Sequence, residues 1–240
     1  MRPEIFFGET RPINGNQLQF QDGAITKAFR TKGAFYLMDE ANMCSPGVLA
    51  KCHRAYAGFE IYLEENNYEC VRKSPGVTMF MACNALNNST EAQLHSGVQQ
   101  MNRAFLDRFG VTIRTDYPNE KEETHILMNA LEKHYKKEFP KLIKSGLRDV
   151  LKKIVEVAQK IRVQIKDGVL PISFSVRRTV GLAMLYCYYE DVTRAVRASI
   201  LNMEEPDDAE SIDIVFKTVF GDQYTSLGEL TNDSSKEKQF

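Results

Sequence analysis

A short apolar run, Ala34-Phe35-Tyr36-Leu37-Met38, follows Gly33 and stops at two adjacent acids, Asp39 and Glu40. A run this short, aliphatic and aromatic, reads as a buried strand that carries the acidic pair to its carboxyl end. That is the form of a Walker B strand. An aspartate there can hold Mg²⁺, and a glutamate there can polarise a water. The motif that usually accompanies the pair is missing: no Gly-x-x-x-x-Gly-Lys-[Ser/Thr] phosphate loop occurs in the sequence.

The 240 residues suffice for one large domain or two small ones. A formal net charge of −1 argues neither for a nucleic-acid partner nor for an acidic tail. No apolar run reaches the roughly 18 residues that span a bilayer. Met1-Arg2-Pro3-Glu4 opens no signal-peptide stretch. The expectation is a cytoplasmic protein without a membrane partner. Five cysteines (44, 52, 70, 83, 187), with no Cys-x-x-Cys pair among them, read as reduced thiols. Cys52-His53 falls short of a zinc site, which needs four ligands at defined spacings. Cys83 sits in an apolar strand and reads as core.

Leu18-Gln19-Phe20 reads as one arm of a hairpin turning through Asn14-Gly15. Apolar positions 24, 25, 28 and 29 have helical spacing, and Gly33 closes that helix. Ser45-Pro46 starts another, with serine as N-cap and proline at the first position. Glu60–Lys73 alternates weakly, as a hairpin or loop does. Val77-Thr78-Met79-Phe80-Met81-Ala82 is a continuous apolar run, typical of a parallel sheet covered on both faces. Residues 101–109 read as a helix, and Val111-Thr112-Ile113-Arg114 as a last short strand. After Tyr117-Pro118 the pattern is helical throughout. Asn119 with Glu122 suits a capping box. Positions 143, 147, 150, 151, 154, 158, 161 and 165 form one apolar stripe. A further helix is expected over about 175–200. Pro206 with Asp207, Asp208 and Glu210 opens a final one. The last dozen residues are polar and read as frayed. The domain plan is an α/β part over 1–118, a helical part over 119–222 and a polar tail over 223–240.

Four signatures stand in order: Asp39-Glu40 at the end of one strand; Asn84 at the end of the next, Phe80-Met81-Ala82-Cys83-Asn84; Ala104-Phe105-Leu106-Asp107-Arg108-Phe109 on a helix; and Ile172-Ser173-Phe174-Ser175-Val176-Arg177-Arg178 opening a later helix. With Asp22-Gly23-Ala24-Ile25-Thr26-Lys27-Ala28-Phe29-Arg30, this resembles an AAA+ ATPase. The likeness is to the MoxR and dynein-related branch, whose members carry a hairpin insert in the second helix of the core; residues 8–22 fit that insert. It covers about residues 5–220. Any one motif is weak alone, and the joint order is much stronger. The stretch His95-Ser96-Gly97-Val98-Gln99-Gln100-Met101-Asn102 looks like the ATPase subunit of cobalt chelatase and its phage-encoded relatives. Phe109 stands where that subunit would have tryptophan, which is closer to the general Asp-Arg-Phe pattern.

The resemblance implies an α/β fold: a partial AAA+ P-loop NTPase core, its parallel sheet flanked by helices, followed by an all-helical lid. It implies ATP and Mg²⁺ as cofactors. Asp39 would help hold Mg²⁺ through its waters, and Glu40 would deprotonate the attacking water. Asn84 would be the sensor-1 amide and Arg108 the arginine finger. Such a finger, supplied in trans, is worth about 10³–10⁵ in rate. Arg177 would be sensor 2, with Arg178 beside it, and Arg103 a second basic candidate before the finger. The implied partners are a homo- or hetero-oligomeric ring, a hexamer by family habit, and a client protein or chelatase subunit.

Each residue also has a plainer reading. The acidic pair could serve a helix N-terminus, Asn84 a strand-to-turn position, Arg108 a surface ion pair, and Arg177-Arg178 a solvated helix start. The phosphate loop normally precedes the insert at which this chain begins, so the missing half is expected upstream or on another polypeptide. Apolar surface at Leu37 and Phe80 would then be uncovered, strand edges would be unpaired, and ATP binding by the chain alone would be poor. Three functions compete: part of a MoxR-type ATPase, a non-catalytic subunit lending Arg108, and a helical interaction module.

Overall fold

Chain alternation decides which face of each element packs. The structure is a computed structural model and describes residues 3–13, 17–83 and 101–229. The chain divides into two compact units, Met1–Arg114 and Thr115–Phe240.

In the first unit, α1 (Glu4–Phe7) leads into an antiparallel hairpin of β1 (Gly8–Ile13) and β2 (Gln17–Asp22), paired from Gly8↔Asp22 to Ile13↔Gln17. The expected Asn14-Gly15 turn lies outside the described residues. Helix α2 (Ala24–Arg30) buries Ile25, Ala28 and Phe29. Strand β3 (Phe35–Met38) follows, then α3 (Pro46–Tyr56). Pro46 opens α3 as expected, although the Ser45 side chain makes no capping hydrogen bond. The 60–73 segment is a hairpin of β4 (Ile61–Leu63) and β5 (Glu69–Val71).

Strand β6 (Thr78–Met81) then pairs in parallel with β3: Phe35↔Thr78, Tyr36↔Met79, Leu37↔Phe80, Met38↔Met81. Parallel neighbours need a long crossover, and α3 lies on it. The register is set before the strands begin. Gly33 donates its N–H to the Pro75 carbonyl at 2.9 Å. A Cβ on Gly76 would sit 3.3 Å from the Gly33 Cα, and both glycines have left-handed backbones. Only glycine allows two chains this close in that conformation.

The two-sided cover that the apolar run at 77–82 suggests is absent, whereas the uncovered apolar surface expected at Leu37 and Phe80 is present. Met38 is buried, and Tyr36, Met79 and Met81 are half-buried against a core that includes Ile25, Phe29, Leu49, Cys52 and Phe105. On the other face Phe35, Leu37 and Phe80 are 75%, 59% and 45% exposed. The apolar run therefore reflects one packed and one open face among the described residues, because α2 and α3 pack into a single cluster. Two further corrections concern 101–114. Helix α4 is short (Arg103–Leu106), capped by Asn102 Oδ1, which accepts the Ala104 N–H at 2.9 Å. Residues 111–114 form no strand. Val111 and Ile113 are exposed, and no ladder partner is offered to them among the described residues.

The second unit is helical: α5 (Glu120–His134), α6 (Phe139–Lys144), α7 (Leu147–Lys166), α8 (Val176–Tyr189), α9 (Val192–Ser199) and α10 (Pro206–Phe220). Asn119 and Glu122 form the expected capping box. The apolar stripe is broken at Gly146, left-handed between α6 and α7. The single helix expected over 175–200 is two. Glu190 turns left-handed, and the Asp191 carboxylate accepts the Arg194 N–H at 3.1 Å, capping a new helix. Leu151, Ile154, Ala158, Ile161, Leu182 and Phe216 lie in one buried core. Residues 224–229, which the sequence assigns to a polar tail, are tied to it. Tyr224 is 1% exposed and donates to Asp213 Oδ1 at 2.6 Å, and the Leu227 N–H meets Asp213 Oδ2 at 3.0 Å. Among the described residues no helix is long and apolar enough to cross a membrane.

Candidate functional site

The ladder does not stop with the strands. The Ala82 N–H donates to the Met38 carbonyl at 2.9 Å, and the Ala41 N–H donates to the Ala82 carbonyl at 3.1 Å. The Asp39-Glu40 turn is thereby stitched to the carboxyl end of β6. Both acids are exposed, while Ala41 and Asn42 just beyond are fully buried. Asp39 Oδ1 accepts the Glu40 N–H at 2.9 Å. Glu40 itself is left-handed, with φ 51° and ψ 40°. That conformation is uncommon for a residue with a Cβ and clusters at functional sites.

The pair sits on rigid ground. Tyr56 of α3 donates its hydroxyl to the Phe80 carbonyl at 3.1 Å. Cys83 lies beside Met101, with sulfur atoms 3.5 Å apart. Burial pushes the Cys83 thiol up, opposed by the facing Asn42 and Ala41 amides and reinforced by Asp39. Burial likewise pushes Cys52 up to about 12. These sulfurs stay protonated near neutral pH and act as core. Asn84, expected next on the chain, lies outside the described residues.

Arg103 and Arg108 are both exposed, at opposite ends of α4. Arg108 donates back to the Ala104 carbonyl. It lies near enough to His53 to lower that imidazole's pKa, second to burial as a cause. His53 stacks on Phe105 at 4.8 Å, and Phe105 packs edge-on against Tyr56 and Phe109. Arg108 lies in the turn just past α4 rather than on the helix expected for it, and the aromatic cluster anchors that turn while the arginine is exposed.

Arg177 and Arg178 open α8 in the second unit. They differ in environment: Arg178 is paired with Glu204 at 2.5 Å and lies over the Phe174 ring, whereas Arg177 is exposed. Beneath them is a cluster that sequence reading passed over. Glu123 and Arg162 form a buried bidentate ion pair, joined by Thr179. One signal was available: Arg162 follows Ile161 inside the apolar stripe of α7, where a charge needs a buried partner.

A hydrated Mg²⁺ fits the donor set at 39–40, since two adjacent, exposed carboxylates offer hard oxygens. A triphosphate fits less well, because the described residues include no glycine-rich loop to cradle it. Two surface cavities, of about 560 and 630 Å³, lie elsewhere and are not lined by Asp39, Glu40, Arg108 or Arg177.

Residues 1–109 match the family model of the AAA domain, dynein-related subfamily. No curated protein matches the chain. With the parallel sheet, its packed helices and the helical second unit, the architecture is a partial AAA+ core followed by an all-helical lid. The match supports an AAA+ ATPase, a nucleotide-dependent enzyme whose relatives typically assemble into rings, with residues 1–109 as the part that carries the likeness.

Proposed function

We propose that this chain works within a ring-forming ATPase of the MoxR or chelatase type, remodelling a partner protein or driving metal insertion, with ATP and Mg²⁺ bound between protomers. The core spans 1–118, and the lid runs from 119 through the segment 224–229 that Asp213 ties to it. Asp39 holds the metal through its waters. Glu40 takes the proton of the attacking water. Asn84 senses the γ-phosphate. Arg108 supplies charge to the neighbouring protomer's site, with Arg103 at the other end of α4 as a second basic group, and Arg177 approaches the nucleotide from the lid while Arg178 is held by Glu204. No phosphate-loop motif stands in the 240 residues, so ATP binding in this reading needs that loop supplied within the ring.

The single observation that carries this reading is the parallel, in-register pairing of β3 with β6, which puts an acidic pair beside the end of a second strand. A second reading, a non-catalytic subunit, is favoured by the absence of the phosphate-loop motif from all 240 residues. One experiment separates them. In rings reconstituted with a partner that supplies a phosphate loop, Arg108→Ala lowers ATP hydrolysis in both readings, towards the factor of about 10³ expected for a lost finger. Glu40→Gln abolishes turnover at this chain's own site in the first reading and is silent in the second. An unchanged rate in both variants refutes both.

A further inference from the structure

We propose that Glu123, Arg162 and Thr179 are positioning residues for Arg177, and that Tyr117 extends their hold to the chain entering the lid. The proposal rests on the reading of Arg177 as a nucleotide contact. Glu123 is 0% exposed and Arg162 8%. Burying such a pair is a poor route to stability, since apolar residues of similar volume commonly do as well or better. What the pair supplies here is direction. Arg162 Nη1 meets Glu123 Oε2 at 2.5 Å and Nη2 meets Oε1 at 2.8 Å. The remaining donor, Nε, reaches the Phe174 carbonyl at 2.9 Å. Thr179 Oγ1 lies 2.9 Å from Glu123 Oε1 and 2.9 Å from the Val176 carbonyl, so its one proton is shared between two acceptors.

These contacts bracket Arg177. Phe174 is fixed ahead of it, and Val176 and Thr179 on either side. The first turn of α8 needs this anchor, because its N-cap, Ser175, makes no side-chain capping bond. The Arg178 and Thr179 amides both donate to the Ser175 carbonyl, at 3.0 and 3.4 Å. Arg178 is drawn off by Glu204. On its far side the Arg162 guanidinium carbon lies 4.1 Å from the centre of the Tyr117 ring, a close cation–π contact. Tyr117 is three residues into the second unit. Linker, buried pair and the turn bearing Arg177 form one connected set.

The test is hydrogen exchange on the full chain, comparing wild type, Thr179→Val, and the double variant Glu123→Leu/Arg162→Met, which replaces charge by apolar volume. Amide exchange over 178–180 accelerates at least about tenfold in both variants, the scale of a lost hydrogen bond to a charged group. Exchange in α7 stays near wild type. Unchanged exchange over 178–180 overturns the proposal. So does uniform acceleration across the lid, which marks ordinary structural support. Thr179→Val keeps the test valid if the double variant misfolds. Arg177→Ala in the reconstituted ring tests the underlying reading separately. Undiminished hydrolysis there removes the nucleotide contact, whatever the exchange data show.

Discussion

Ala41 donates its amide proton to the Ala82 carbonyl at 3.1 Å, one step past the last ladder pair of two parallel strands. Main chain therefore ties the acidic turn to the end of β6, and within the turn Asp39 Oδ1 accepts the Glu40 N–H. The exposed Glu40 side chain can be changed without loosening that link.

Glu40 makes this testable. Its left-handed backbone disfavours any residue with a Cβ, by about 1 kcal/mol. Glycine relieves that strain but adds chain entropy to the unfolded state, by about 0.5–1 kcal/mol. Glu40→Gly should leave thermal stability level or raise it by up to about 0.5 kcal/mol. Hydrolysis in the reconstituted ring should fall to the Glu40→Gln level. A clear loss of melting temperature would show that the Glu40 side chain supports the turn.

The open sheet face predicts self-association. Phe35 and Phe80 stack at 5.9 Å with Leu37 alongside, a cluster of the kind that marks contact surfaces. Leu37→Lys with Phe80→Ser should reduce light scattering of the purified chain, and stability should change by no more than about 0.5 kcal/mol, as at ordinary exposed sites. Unaltered scattering would mean that association uses another surface.

Much of this was readable because it is local. The capping box at Asn119 and Glu122, the proline start of α3 and the apolar strands at 35–38 and 78–81 each follow from neighbours in sequence. Most of what failed depends on partners far along the chain. Residues 111–114 have strand composition but meet no ladder. The strand runs of the core, taken alone, look covered on both faces; the open face at Leu37 and Phe80 was legible only from the missing phosphate-loop motif. The break at Glu190-Asp191 turns on a single capping carboxylate inside an otherwise helical pattern. Glu123 and Arg162 lie 39 residues apart in sequence on two helices, beyond the reach of any periodicity.

Acid should weaken the α/β unit through His53. Burial, then Arg108, hold its folded-state pKa below the ordinary value. The unfolded chain therefore takes up this proton at higher pH, and stability is lost as pH falls from about 6.5, the unperturbed histidine value, through the lowered one. His53→Gln should flatten the fall in melting temperature between neutral pH and pH 5, and Arg108→Ala should flatten it partly. Identical slopes in wild type and His53→Gln would assign the acid sensitivity to other groups.

The lid pair gives the sharpest stability contrast. Glu123→Ala leaves the Arg162 guanidinium buried, its Nε still donating to the Phe174 carbonyl but its charge without the Glu123 carboxylate. Stranding one member of such a pair costs about 3–5 kcal/mol. Denaturant unfolding of the full chain should show that loss. Glu123→Leu with Arg162→Met removes both charges and retains apolar volume, so its stability should stay within about 1 kcal/mol of wild type or exceed it. The ordering of the two variants carries the argument. If the double variant is as unstable as Glu123→Ala, the lid needs the ions themselves for its fold, and the buried pair is a structural brace rather than a device for orienting the first turn of α8.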